Sequence, residues 1–197
     1  MASEMPTRNV VDQSALPENY PTHRHEACFW ECLGRTVATF GFLEEVLAKG
    51  IFAFTATTKY SEEEIGQAYS QWLPKLEKSL SDQLGGLIDT FGKAVRDNSD
   101  ATIENLDDLL TDLRAASKIR NVLCHCSWRT PENNGASTPF FVSRQKERFE
   151  TPIDILFLKQ VQKNAVDLVC AVINSVTHMG WQFPGSSSPG EVIWRKA

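Results

Sequence analysis

A chain of 197 residues, 42% hydrophobic and 23% charged, suits one domain with a core of its own and is short for two. Its net charge of −5 argues against a protein that coats nucleic acid electrostatically, though it leaves room for a local phosphate site. No apolar run approaches the roughly 20 residues that span a bilayer. The polar start from Met1 to Pro21 lacks the charged-then-apolar order of a signal peptide, so the expected location is the cytoplasm and no membrane partner is expected.

Residues 1–22 carry Pro6, Pro17 and Pro21 among polar residues without any period, which describes an extended or loosely ordered arm. A first helix should begin near His23 to Glu26. From there Leu33, Val37, Phe40, Glu44, Leu47, Ile51 and Phe54 recur at alternating spacings of four and three, the stripe of a long packed helix with one charged member, Glu44. Ser61 followed by Glu62, Glu63 and Glu64 starts a second helix, interrupted at Pro74 and resumed through Leu76 and Leu80. Ser81 to Gly86 reads as a break, and a short helix from about Leu87 to Arg96 ends at the turn formers Asp97 to Asp100.

The next helix is the best patterned, with Ile103, Leu106, Leu110, Leu113 and Ser117 on one seam and Leu109, Ala116, Ile119 and Leu123 beside it. Turn formers follow from Trp128 to Gly135, and Pro139 to Arg144 has strand character, so a small β-hairpin is expected over about 127–150. Thr151, Pro152 and Asp154 open a last helix that runs through Leu156 to Val176 and stops at Gly180, leaving 181–197 as a tail. The predicted fold class is all-α: an up-and-down bundle of four to five helices over residues 23–180, with the hairpin inserted before the last long helix.

Candidate chemistry is concentrated at the end of the best-patterned helix, in Arg120-Asn121-Val122-Leu123-Cys124-His125. Arginine offers a permanently charged fork that matches phosphate, and histidine titrates near neutral pH. The same pair also fits a surface arginine and a histidine that merely complements the helix C-terminus. Five cysteines, Cys28, Cys32, Cys124, Cys126 and Cys170, suit small apolar roles rather than disulfides. His23, His25, Cys28 and Cys32 lack the paired knuckles of zinc modules, and Cys124 and Cys126 point to different helical faces, so neither metal nor cofactor is expected.

The Arg120-to-His125 string, with polar Asn121 after the arginine, resembles the Arg-x4-6-His motif of HEPN domains (higher eukaryotes and prokaryotes nucleotide-binding). The helical pattern over roughly residues 23–180 fits that family. The resemblance implies a homodimer whose two motifs face each other across a cleft. In active members it implies a metal-independent endoribonuclease, with Arg120 and His125 as catalytic residues; other members are catalytically silent.

The acid-base chemistry of RNA cleavage agrees with this picture. It needs a base for the 2'-hydroxyl, an acid for the leaving 5'-oxygen and donors on the phosphate. One protomer supplies a single motif histidine, and a two-fold contact would supply the second. Asn121, one turn before His125, can orient the imidazole or the substrate. Expected products are a 2',3'-cyclic phosphate and a 5'-hydroxyl.

Glu44 suits either a carboxylate aimed at the motif or a rim position on the seam. Arg144, Lys146 and Arg148, with Phe140, Phe141 and Phe149 nearby, suit either contact with RNA or a solvated edge. Trp128 is of interest because it follows the motif closely. Two function classes remain: a ribonuclease, as a toxin with an antitoxin partner or a defence effector, and a non-catalytic helical dimer that binds nucleotides or a partner protein.

Overall fold

The long apolar stripe folds as a single 30-residue helix, α1, over Ala27–Ala56 in the computed structural model, which describes residues 10–61, 63, 66, 67, 70, 74 and 83–187. Leu33, Phe40, Leu47, Ile51 and Phe54 are buried along it, and Val37 and Glu44 are half-buried. Three further helices follow among the described residues: α2 over Leu84–Asp97, α3 over Leu106–His125 and α4 over Ile155–Thr177. The described part of the chain is thus a helical bundle. None of its helices is long and apolar enough to cross a membrane. The helix expected from Ser61 to Leu80 lies, apart from isolated positions, outside the described residues, as do residues 1–9 and 188–197.

Contacts along the helices set their directions. On α1 the buried Thr36 hydroxyl donates to the Leu158 carbonyl at 3.3 Å, and Gln162 donates to Thr39 at 3.4 Å, so α4 runs alongside α1 in the same direction. A Cβ at Gly50 would sit 3.0 Å from Phe91 and 3.4 Å from Val172. Glycine at this position lets α1 lie close to α2 and α4 without pushing the Phe91 ring aside. On α3, Asp107 pairs with Arg96 and Arg114 with Asp89, which runs α3 against α2. At the far end of α1, Asn98 is buried and donates to the Phe54 carbonyl at 2.9 Å and to Thr57 at 3.0 Å. The first of these bonds joins the Thr58 hydroxyl, which donates at 2.8 Å, in satisfying a terminal carbonyl of α1.

Two boundaries differ from expectation. Helix α2 begins at Leu84, inside the break expected over Ser81 to Gly86. Leu84, Leu87 and Ile88 are all buried, and their burial outweighs the roughly 1 kcal/mol that each helical glycine costs. The expected β-hairpin is not formed. Residues 127–153 contain only isolated antiparallel bridges, Ser127 to Phe140, Ser137 to Ile153 and Val142 to Arg148. Each bridge uses a different partner segment, so no ladder extends beyond one pair, and Pro131, Pro139 and Pro152 remove donors from the segments. Beyond α4, Phe183 is buried and Trp181 meets Phe54 edge-on at 5.6 Å, so the first residues after the helix cover the core.

Candidate active site

Helix α3 carries the motif in its last two turns, and the side chains divide by face. Leu110, Leu113, Ser117, Val122 and Leu123 are buried, which turns Arg120 and Asn121 toward the half-buried margin and leaves Cys124 and His125 exposed. Five positions along a helix turn through about 140° beyond a full circle, so Arg120 and His125 leave the axis in well-separated directions. Asn121, about 40° from His125, stands between them.

Arg120 faces α1. Its Nη2 lies 3.1 Å from Glu44 Oε1, with the two side chains only 22% and 27% exposed. The N–H does not align with that oxygen, which is buried and accepts no hydrogen bond, so the contact is an ion pair rather than a directed fork. A second guanidinium nitrogen reaches Asn121 Oδ1 at 3.5 Å, at the limit of hydrogen bonding. The fold therefore gathers Glu44, Arg120 and Asn121 at one margin. His125 stands apart: it is the last residue of α3, where a cation complements the helix dipole, and it makes no hydrogen bond to the other three.

The chain leaving His125 is fixed by aromatic packing. Trp128 meets Phe29 edge-on at 4.9 Å, His25 at 6.0 Å and Trp30 at 6.2 Å. The His25 ring stacks on Phe29 at 4.3 Å, and the Trp30 indole donates to the Thr22 carbonyl at 2.8 Å. The beginning of α1 and the end of α3 are thus joined through one cluster. His25 Nε2 is buried without a hydrogen-bond partner, and desolvation holds its pKa below the ordinary histidine value, so the ring is neutral at pH 7. Burial likewise pushes the Cys126 thiol up to about 11, which keeps it protonated and removes it as a nucleophile.

Outside this cluster lies an open cleft of about 490 Å³, lined by Arg24, Ser127, Trp128, Arg129, Thr130 and Phe140. Arg24 donates to the Thr130 hydroxyl at 2.7 Å, and the Arg129 guanidinium sits 5.2 Å from the centre of the Phe140 ring. Reciprocal backbone bonds between Ser127 and Phe140, at 3.0 and 2.8 Å, hold the two walls together. Arg144, Lys146 and Arg148 are exposed but do not line this cleft; they surround a tight turn in which Lys146 adopts a left-handed φ of 65°. A larger groove of about 750 Å³ runs between α3 and α4 over Phe40, with Asp108, Asp112 and Asp167 among its lining residues.

Among the described residues, no group of three or more His, Cys, Asp or Glu side chains is placed to hold a metal ion. No known family model, curated protein or solved structure matches the chain. The residues that sequence reasoning missed are Arg24 and Arg129. Arg24 reaches Thr130 across 106 positions, a proximity to which no local pattern points.

Proposed function

We propose that the protein is a metal-independent endoribonuclease of the HEPN type that acts as a homodimer. The observation that carries this reading is the half-buried Glu44–Arg120 pair at the margin of α3, with Asn121 between it and an exposed His125. A guanidinium held part-way out of water keeps more of its attraction for phosphate than one on an open surface. The His125 imidazole is exposed, so it can take or give a proton at a bound strand.

Arg120 binds the scissile phosphate, exchanging part of its contact with Glu44 for the phosphate oxygens. Two His125 side chains, one from each protomer, act as base toward the 2'-hydroxyl and acid toward the 5'-oxygen. Asn121 orients the imidazole on its own face of the helix. The products are a 2',3'-cyclic phosphate and a 5'-hydroxyl. Such an activity suits a toxin restrained by an antitoxin protein, or a defence effector.

One observation favours the alternative, a non-catalytic helical dimer that binds nucleotides or a partner protein: Glu44 already neutralises Arg120, and His125 does not touch it. Incubating the full chain with mixed RNA in EDTA separates the two. The ribonuclease yields cyclic-phosphate ends that Arg120→Ala and His125→Ala abolish. Absence of cleavage by wild type, or equal cleavage by both variants, overturns it. Growth arrest on expression, relieved by either substitution, is the corresponding cellular result.

A further inference from the structure

The open cleft beyond His125 has an unusual lining for a chain of net charge −5: two arginines, two aromatic rings and two hydroxyl side chains, with no carboxylate among its six residues. Phe140 is 49% exposed, so its ring face is not spent on the core. The Arg129 guanidinium already lies against that ring, an arrangement in which a flat aromatic ligand can replace or sandwich the cation. Arg24 is tied to Thr130 by one nitrogen of its guanidinium, and Trp128 is clamped by Phe29 and Trp30. The cleft is therefore built before any ligand arrives. Ser127 follows His125 by two residues, which puts the cleft edge within about 8 Å of the histidine backbone.

We infer that this cleft is a subsite for single-stranded RNA, with Phe140 and the exposed part of Trp128 stacking a base and Arg24 and Arg129 holding the flanking phosphates. The inference deepens the ribonuclease reading and rests on it for the choice of RNA as ligand. Alternating cationic forks and ring faces match the alternation of phosphate and base along one strand. A duplex hides its base faces and leaves the rings nothing to stack on. The subsite presents the strand to His125 from the C-terminal side of α3, and it reassigns RNA contact from the Arg144, Lys146 and Arg148 turn to residues brought together only by folding.

The test is fluorescence anisotropy of a labelled single-stranded RNA of about ten nucleotides, titrated with the full chain carrying His125→Ala so that the strand stays intact. Adding Phe140→Ala, or Arg24→Gln with Arg129→Gln, should weaken binding about tenfold. Phe140→Tyr should restore it, and Arg144→Gln with Lys146→Gln and Arg148→Gln should change it by less than about twofold. Affinity unmoved by the cleft variants, or lost only with the turn variants, overturns the subsite. In the chain with His125 intact, the cleft variants should raise KM and leave kcat in place. Binding that depends on the cleft without any cleavage by wild type upholds the subsite and defeats the ribonuclease; cleavage with cleft-independent binding does the reverse.

Discussion

Among the described residues, two concavities beside α3 differ in almost every property that bears on function. Toward its beginning, the groove shared with α4 is the larger, floored by Phe40, Leu109, Ile119 and Leu168 and bearing Asp108, Asp112 and Asp167. Just past its end, the cleft is smaller and carries Arg24 and Arg129 with exposed aromatic surface. The acidic groove is a poor place for a polyanion despite its size, whereas the basic cleft suits one in a protein whose overall charge does not. Volume alone would favour the acidic groove, whereas charge favours the cleft beyond His125 as the place for the proposed RNA strand.

His125→Ala gives the largest expected effect on this contrast. Under the proposed mechanism, which gives His125 the acid and base roles, the substitution should lower RNA cleavage at least about a hundredfold, measured as initial rate in EDTA, with thermal stability little changed because the side chain is exposed. Retained cleavage would mean that the basic end is not the reactive one. Glu44→Gln comes next. It releases Arg120 from its ion pair with Glu44, so the guanidinium keeps its charge and loses its position; kcat should fall about tenfold while KM moves little. A drop confined to KM would assign Glu44 to strand binding instead.

How much of this was legible in the chain depends on the range of the interaction. The stripe from Leu33 to Phe54 and the seam from Leu106 to Ser117 were readable because a helix repeats its environment every turn, so burial leaves a local period. Glu44 stood out as the one charged member of such a stripe, but its contact with Arg120 depends on where α3 lies, which no local period encodes. Gly85 and Gly86 misled because local propensity cannot weigh the burial of Leu84 and Ile88. The segment after His125 misled in the opposite way: turn formers and bulky residues were present, but each short stretch pairs with a different partner. Arg24, Arg129 and Phe140 converge through contacts separated by many residues, and no window on the sequence contains them.

The basic end should also be the more sensitive to acid. His25 is held neutral among Phe29, Trp30 and Trp128, and its pKa in the folded chain lies below the ordinary value because burial penalises the charged ring. The unfolded chain therefore binds this proton more readily. The contribution is fully present above the ordinary histidine pKa of about 6.5 and is lost as pH falls below it toward the folded value. Thermal melts at successively lower pH should show this loss, and His25→Phe should flatten that part of the profile. An unchanged slope in the variant would remove His25 from the anchoring of the cleft.

The smallest effect is expected at the acidic end. Asp108 lies in the first turn of α3, where a carboxylate complements the unpaired N–H groups, and it lines the larger groove. Asp108→Asn should cost the helix about 0.3–1 kcal/mol, read as a small fall in melting temperature. Because the substitution removes a negative charge, a chain that bound RNA in this groove would bind it more tightly. If RNA instead occupies the cleft beyond His125, the affinity should stay within about twofold of the parent, and the residual change should fade with added salt as a screened long-range term. A larger gain that resists salt would place the strand against the acidic groove and reverse the order of the two sites.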